Sequence, residues 1–325
     1  MMDWTDRHCR YFLRGFSADV LLYTEMITAA AVLRGERERL LEFDADEHPL
    51  ALQLGGSDPG DLAAAARIGE QAGFDEINLN CGCPSERVAS GAFGACLMLE
   101  PARVAECVAA MRSAVLVPVT VKMRIGVVSA AAGEARQSVA HFDEQAFDAL
   151  CRFVAGVRAA GCDAAIVHAR AAVLGGLSPK DNREVPPLRY EVVRRLKRGL
   201  PQFPIVVNGG LRAPQSVLEA LQWCDGVMLG REAYHRPYLL AELQRILHPG
   251  AVPPTREALL ERMRFYAERE LARGGRLAPI VRHMLGLYAG EPGAREFRRV
   301  LSEGARAPSA GAELLRPATR AGPSA

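Results

Sequence analysis

The chain has 325 residues, of which 49% are hydrophobic and 24% are charged, so it can form packed cores and is not a low-complexity sequence. No apolar run reaches the ~18 residues that cross a bilayer, and residues 1–6 lack the basic and then apolar pattern of a signal peptide. The net charge is +2, and the eight Cys lack the spacing of a disulfide framework or of paired zinc knuckles. We therefore expect a cytoplasmic protein with reduced thiols and no metal.

Short β-branched or apolar runs alternate with longer helical patterns over the first 245 residues, which is typical of a parallel α/β fold. Seven runs are predicted as strands, at 20–25, 50–54, 76–80, 117–122, 164–168, 204–208 and 226–229. Helical patterns lie between or after them, at 61–72, 102–113, 145–160, 189–199, 214–223 and 237–247. This alternation predicts a (β/α)8 TIM barrel.

A closed barrel needs eight strands, and only seven are predicted. A helical pattern over 6–16 begins almost at once, so the chain is expected to lack most of strand 1 at its N-terminus. Glycine turns follow the last two predicted strands, at 208–210 and 230–231. Barrels often bind phosphate after strands seven and eight, so this numbering also places one strand before residue 1 and indicates a start codon upstream of Met1.

A Pro-rich break at 248–254 ends the alternating pattern. Purely helical patterns follow at 255–273, 278–289 and 294–303. The sequence therefore predicts a barrel domain at 1–248, an all-helical domain at 249–305 and a disordered tail at 306–325. Residues 127–141 are predicted as a flexible insertion that follows a strand.

Charge is unevenly distributed along the chain. Residues 251–325 hold 13 Arg and no Lys against 8 Glu and no Asp, whereas residues 1–250 carry a small acidic excess. The basic C-terminal region fits a polyanionic partner, although a solvated helical surface gives a similar count.

Polar residues at the ends of the predicted strands are the candidates for chemistry, because parallel barrels carry their sites there. No P-loop, dinucleotide-binding, serine-hydrolase or zinc-protease motif occurs among them. Lys122, one of three Lys beside 37 Arg, can stabilise the negative charge of a reduced flavin, with a surface ion pair as the alternative. Gln53 can donate to and accept from a flavin edge. His168 can bind the cofactor, or it is only a structural residue.

Two further features complete a flavin pocket. Gly209, Gly210, Gly230 and Arg231 can offer backbone N–H groups and a guanidinium to a phosphate, since only Gly lets the backbone approach so closely. Cys83 follows a predicted strand and can donate a proton to a substrate carbon, or it is a small buried hydrophobe. We interpret the neighbouring Cys81 as a packing residue.

Five motifs in this order resemble the tRNA-dihydrouridine synthases. They are Asn-Cys-Gly-Cys-Pro-Ser at 80–85, Val-Lys-Met-Arg-Ile-Gly at 121–126, His-Ala-Arg at 168–170, Asn-Gly-Gly at 208–210 and Gly-Val-Met-Leu-Gly-Arg at 226–231. Segments at 3–10, 177–183 and 282–287 resemble the bacterial A-type subfamily, and the resemblance covers about residues 1–303.

The resemblance implies an enzyme with FMN that uses NADPH to reduce D-loop uridines of tRNA, at positions 20 and 20a in the A-type subfamily. It implies that hydride passes from FMN to C6 of the uracil and that Cys83 protonates C5. The implied FMN contacts are Met1, Met2, Gln53, Lys122, His168, Asn208, Gly209, Gly210, Gly230 and Arg231. The implied tRNA contacts are Asn80, Lys180, Asp181, Arg183, Arg295 and Arg298. No membrane partner and a monomer are expected.

The chain departs from the family pattern at Ala171 and Val173, where Lys and Trp are usual, and in the longer insertion at 127–141. Two alternatives stay open. One is another FMN barrel reductase that acts on a small molecule, against which the basic helical region argues. The other is a catalytically impaired tRNA-binding barrel, if strand 1 is absent.

Overall fold

The structure, a computed structural model, describes residues 1–84, 93–129, 142–307 and 309–316. The chain forms two compact units. The first, here called the sheet unit, contains Met1, Tyr23–Phe43 and Pro49–Gly230, and the second, the helical unit, contains Met2–Leu22, Asp44–His48 and Arg231–Ala325. These two units do not begin and end at the predicted domain boundaries, which lie after residues 248 and 305. The domain boundaries stay a prediction.

Seven strands form the curled main sheet. In their order within the sheet they are β1 Leu22–Thr28, β2 Leu50–Gly55, β3 Glu76–Cys81, β4 Val119–Arg124, β6 Ala164–His168, β8 Ile205–Asn208 and β9 Gly226–Met228. From β2 to β9 every neighbouring pair is parallel. The predicted α/β class and the seven predicted strands are confirmed, and within the described residues β1 and β9 are the two edges of the sheet.

A second sheet pairs β5, Val127–Ser129, with β7, Ala172–Leu174, in parallel. Neither strand was predicted, because three residues are too few to establish an alternating pattern. The predicted insertion at 127–141 therefore begins with β structure. Its remainder, residues 130–141, lies outside the described residues.

The central strands separate apolar from polar side chains. In β3 the side chains of Ile77, Leu79 and Cys81 are fully buried, and they alternate with those of Glu76, Asn78 and Asn80. Because successive side chains of a strand point to opposite faces, the apolar set packs on one face and the polar set lies on the other. The polar face of the sheet carries the candidate site.

Helices follow the strands of the sheet unit. Their bounds are Ala29–Arg34, Arg37–Leu40, Pro59–Ala72, Pro101–Ala114, Glu144–Ala159, Tyr190–Gly199 and Pro214–Leu221, with 3-10 helices at Gly94–Leu99 and Asp181–Arg183. Local sequence sets their ends. Asp58 accepts a hydrogen bond from Asp61 N before Pro59, and Gly73 ends the same helix at a φ of 102°, which favours glycine.

The helical unit is built from the helices Arg7–Arg14, Arg231–His235, Tyr238–Leu247, Arg256–Ala272, Leu277–Val281 and Ala294–Gly304, with 3-10 helices at Ala45–Glu47 and Ala312–Leu315. Within the predicted tail, Ala312 and Leu315 are buried, whereas 308 and 317–325 lie outside the described residues. Among the residues described, no helix combines the length and the apolar composition that a membrane span requires.

The helix predicted at 278–289 is shorter than expected. It spans Leu277–Val281 and continues as turns to residue 290. A Cβ at Gly286 would lie 2.5 Å from the backbone oxygen of His235, so the chain approaches a neighbouring backbone closely there. The helical pattern of the sequence gives no sign of this close approach.

Candidate active site

A row of amide side chains lies on the polar face of β2 and β3. Gln53 Nε2 donates a hydrogen bond to Asn78 Oδ1, and Asn80 Nδ2 donates one to Gln53 Oε1, both at 2.8 Å. All three side chains are buried. The structure thus brings Gln53 and Asn80, which the sequence placed in the site, into direct contact, and it adds Asn78, to which the sequence assigned no role.

Asn80 also holds the segment that carries Cys83. Its Oδ1 accepts hydrogen bonds from the backbone N–H groups of Gly82 and Cys83, each at 3.0 Å. Cys83 is partly exposed, whereas Cys81 is fully buried, and burial raises the pKa of the Cys81 thiol well above its usual value. The interpretation of Cys81 as a packing residue is confirmed. Residues 85–92, which follow in the chain, lie outside the described residues.

Lys122 lies beside this row, because Asn80 and Lys122 are partners in the register of β3 and β4. Its Nζ donates to Asn208 Oδ1 at 3.1 Å, and Asn208 Nδ2 donates to the backbone oxygen of Met228 at 2.8 Å. Within the described residues Lys122 forms no ion pair, so the surface ion pair finds no support. Burial, together with the charge of Arg124, lowers the pKa of Lys122 to about 8, against the opposing effect of Cys83.

Arg124 is a part of the site to which the sequence analysis gave no role. It is 3% exposed, and it donates to the backbone oxygens of Gly82 at 3.0 Å, Ala171 at 3.1 Å and Asn182 at 2.8 Å. Burial lowers its pKa to about 10. Its spacing of two residues from Lys122 was the available signal, because side chains at i and i+2 of a strand share a face.

The end of β6 meets the glycine turn that follows β8. His168 is the register partner of Asn208. Gly209 and Gly210 have φ values of 109° and 71°, and a Cβ at Gly209 would lie 2.5 Å from His168 Cδ2. Both positions therefore require glycine. Among the described residues, the N–H groups of these two glycines donate no hydrogen bond.

Tyr190 supports this turn and was missed by the sequence analysis. Its hydroxyl donates a hydrogen bond to the backbone oxygen of Gly209. Tyr190 is the first residue of the helix Tyr190–Gly199, and nothing in the surrounding sequence distinguishes it from a packing residue.

The remaining predicted cofactor residues divide between the two units. Met1 and Gly230 belong to the sheet unit, and a Cβ at Gly230 would lie 3.8 Å from Met1 Sδ. Met2 and Arg231 belong to the helical unit, where Met2 is 58% exposed and Arg231 begins the helix Arg231–His235. Met1 and Gly230 thus share a unit with the other predicted cofactor residues, whereas Met2 and Arg231 do not.

The predicted tRNA contacts other than Asn80 lie in two places. In the sheet unit, Lys180 and Arg183 are exposed, and Asp181 accepts a hydrogen bond from Ser178 Oγ at 2.6 Å. In the helical unit, Arg295 and Arg298 are exposed on the helix Ala294–Gly304. Neither of these two arginines has an ion-pair partner in the described part of the chain.

Residues 1–321 match the sequence profile of the dihydrouridine synthases. The chain belongs to the dihydrouridine synthase family. The tRNA-dihydrouridine(20/20a) synthase of Pseudomonas aeruginosa is 55% identical over 303 residues, which cover 93% of this chain and 87% of that protein.

Other members of the dihydrouridine synthase family are equally similar. The tRNA-dihydrouridine(20/20a) synthase of Xanthomonas axonopodis pv. citri is 55% identical over 97% of this chain and 90% of its own length. That of Synechocystis sp. is 52% identical over 99% and 92%, respectively. A solved structure from Burkholderia cenocepacia, described as a phosphonomutase, has a TM-score of 0.42 and 17% identity, covering 75% of this chain and 100% of that one. This likeness is too low to bear on the function. Membership of the family places the chain among oxidoreductases.

Proposed function

We propose that this dihydrouridine synthase reduces uridines of tRNA to 5,6-dihydrouridine, at positions 20 and 20a of the D-loop, with FMN as cofactor and NADPH as reductant. The printed names of relatives that are 52–55% identical support the reaction and its substrate. The observation that carries the proposal is the placement of Cys83 beside Lys122 at the same end of the sheet. A tRNA substrate is consistent with a cytoplasmic enzyme.

The residues of the sheet unit fit a flavin mononucleotide. A negatively charged group is favoured beside Lys122, which has no carboxylate partner among the described residues and keeps its ammonium at pH 7 because its pKa is about 8. Gln53 has amide capacity left after its two hydrogen bonds. The N–H groups of Gly209 and Gly210 provide donors of the kind that bind phosphate.

Pairs of these residues would then bind different parts of FMN. Gln53 and Lys122 would hold the polar edge of the FMN ring, His168 and Asn208 would support it, and Gly209 and Gly210 would bind its phosphate. Met1 and Gly230 lie in the same unit as these residues, and Met2 and Arg231 are the residues that directly follow them in the chain. All four would be further FMN contacts. When bound, FMN would supply the hydride for the reduction, and NADPH would be its source.

Cys83 acts as the acid. Hydride addition at C6 of uracil leaves negative charge that a proton at C5 must neutralise, and the Cys83 thiol delivers that proton. The two hydrogen bonds from Gly82 N and Cys83 N to Asn80 Oδ1 fix the backbone from which the thiol projects. Solvent then reprotonates the thiolate. The sum is the transfer of one hydride and one proton to the C5–C6 double bond.

Basic side chains on both units would bind the tRNA backbone. Lys180 and Arg183 are exposed in the sheet unit, and Arg295 and Arg298 are exposed in the helical unit. Exposed Lys and Arg attract phosphates and release counterions, so binding of this kind weakens as salt increases.

The test is flavin content and product formation by the purified chain. We expect FMN absorbance in the visible range and NADPH-dependent formation of dihydrouridine in tRNA that lacks this modification. A colourless chain that binds tRNA would favour the impaired tRNA-binding barrel. A flavin-loaded chain that oxidises NADPH only with a small unsaturated substrate would favour a small-molecule reductase.

A further inference from the structure

A continuous chain of hydrogen bonds runs along the polar face of the sheet, from the start of β3 to the backbone of Cys83. Thr120 Oγ1 donates to Glu76 Oε1 at 2.6 Å, and Asn78 Nδ2 donates to Thr120 Oγ1 at 2.7 Å. From Asn78 the chain continues through the amides of Gln53 and Asn80 to the N–H groups of Gly82 and Cys83. Glu76 and Thr120 are buried and have no role in the reaction proposed above.

The carboxylate end sets the direction of this chain. Glu76 Oε1 accepts from the hydroxyl groups of both Tyr23, at 2.7 Å, and Thr120. A threonine hydroxyl has one proton, so Thr120 can only accept from its other neighbour. That neighbour must present its NH2 group, which fixes the Asn78 amide with Nδ2 toward Thr120 and Oδ1 toward Gln53.

The backbone end imposes the same direction. The N–H groups of Gly82 and Cys83 need an acceptor, so Asn80 must turn Oδ1 toward them and Nδ2 toward Gln53. Gln53 lies between two amides, and both require its Nε2 to face Asn78 and its Oε1 to face Asn80. Every amide in the row is therefore held in one of its two orientations.

We propose that Glu76 and Thr120 are positioning residues that fix the orientation of the Gln53 and Asn80 amides and, through Asn80, the backbone of Cys83. Asn80 then keeps one Nδ2 proton that the row does not use, and this donor suits a carbonyl oxygen of the uracil ring. This assignment of a ligand rests on the proposed function. The orientation of the amides rests on the hydrogen-bond chain alone.

Tyr23 offers a matched control. Its hydroxyl donates to the same oxygen of Glu76, but it lies outside the path from Thr120 to Cys83. Thr120→Val removes one hydroxyl from the path at nearly constant shape, and Tyr23→Phe removes one hydroxyl beside the path. Thr120→Ser keeps the hydroxyl and serves as the conservative variant.

Two measurements are made on each full-length variant loaded with FMN. One is the single-turnover rate of dihydrouridine formation by the NADPH-reduced enzyme, expressed per bound flavin. The other is hydrogen exchange, by mass spectrometry, of a peptide that contains Gly82 and Cys83. We expect Thr120→Val to lower the rate by about tenfold and to accelerate exchange in this peptide, because loss of one buried hydrogen bond frees the amide row. Tyr23→Phe and Thr120→Ser should stay within about twofold of the wild type in rate.

Each other outcome is decisive. Wild-type rate and exchange in Thr120→Val would overturn the proposal, and so would equal losses in Thr120→Val and Tyr23→Phe, which would indicate general destabilisation. If Thr120→Val does not fold, Thr120→Ala also deletes the hydroxyl, together with the methyl group of the threonine side chain. If the wild type forms no dihydrouridine, the proposed function fails, and the exchange comparison still decides whether Thr120 positions the backbone of Cys83.

Discussion

Lys122 of β4 donates a hydrogen bond to Asn208 of β8, 3.1 Å away, although β6 lies between these strands in the sheet. The lysine side chain therefore extends over β6 on the polar face of the sheet. The amide of Asn208 is itself fixed, because its Nδ2 donates to the backbone of Met228. A single ammonium is thus held in a defined place, partly buried and with Arg124 as a charged neighbour.

Lys122→Met should weaken the binding of FMN but raise the stability of the flavin-free protein. Loss of the charge should raise the dissociation constant of FMN by about 10–100-fold, the range for a hydrogen bond to a charged group. The flavin-free variant should be more stable than the wild type at pH 7, with a Tm higher by roughly 2–4 °C, because a buried charge has been removed. Flavin titration and thermal unfolding of the flavin-free protein measure the two effects. Lys197→Met, which removes an ion pair with Asp225, should leave FMN affinity unchanged.

The stability difference in the previous experiment should depend on pH. The pKa of Lys122 is about 8 in the folded chain, and in the unfolded chain it has its usual value of 10.5. Between pH 8 and pH 10.5 the unfolded chain therefore binds more protons than the folded chain. Wild-type stability then rises with pH relative to Lys122→Met. The advantage of the variant should be complete below pH 8 and shrink toward pH 10.5. An advantage that is constant across this range would contradict the assignment of the pKa.

Gly209→Ala should impair both the fold of the turn and the retention of FMN. The new Cβ would lie 2.5 Å from His168 Cδ2, at a φ of 109° that side chains rarely adopt. We expect a loss of about 1–3 kcal/mol in the free energy of unfolding and little bound flavin after purification. The control is Gly156→Ala, where no atom lies within 4 Å of the new Cβ, so stability should rise slightly. Equal behaviour of both variants would contradict the account of the turn.

Cys83→Ala should retain FMN and oxidise NADPH but form dihydrouridine about 10²–10⁴-fold more slowly, the loss expected for a missing general acid. Hydride supply and C5 protonation are separate tasks, so stopped-flow reduction of the flavin should be unchanged while its reoxidation by tRNA slows. Cys81→Ala, at a fully buried packing position, is the control and should be far milder. Normal product formation by Cys83→Ala would remove this thiol from the mechanism.

Arg295 and Arg298 should contribute to tRNA affinity through phosphates. Replacing both with Ala should weaken binding without changing FMN content, and should reduce the slope of log affinity against log salt by about 2. Arg299→Ala is the control on the same helix, because Arg299 already pairs with Glu296 and Glu303. Filter binding at several salt concentrations measures the slope, and an unchanged slope in the double variant would count against the assignment.

The sequence predicted those features that repeat along the chain. The seven strands of the main sheet were predicted because each is a short apolar run before a polar strand end, and Cys83 and Lys122 were predicted as site residues at such ends. Arg124 and Glu76 were given no role, although Arg124 shares a face with Lys122 at a spacing of two, and Glu76 shares one with Asn80 at a spacing of four. The role of Thr120 depends on its hydrogen bonds to Glu76 and Asn78, and the support from Tyr190 depends on tertiary placement, so no local pattern could indicate either.

The helical unit was the harder prediction for the same reason. It combines the N-terminal helix Arg7–Arg14 with residues from 231 onward, and sequence patterns do not predict which distant segments pack together. One such contact is a buried hydrogen bond from Arg10 Nε to Glu47 Oε2, at 2.5 Å. The predicted boundary at 248 followed the Pro-rich break, which marks a change of composition.

Mapping of dihydrouridine in tRNA shows whether the chain reduces uridines and whether this reaction needs Cys83. The host is a bacterial strain from which its own enzyme of this family has been deleted, complemented with either the wild-type chain or Cys83→Ala. We expect the wild type to restore dihydrouridine at positions 20 and 20a and Cys83→Ala not to restore it, although both proteins accumulate with FMN bound. Absence of dihydrouridine with the wild type, or full restoration by Cys83→Ala, would contradict this expectation.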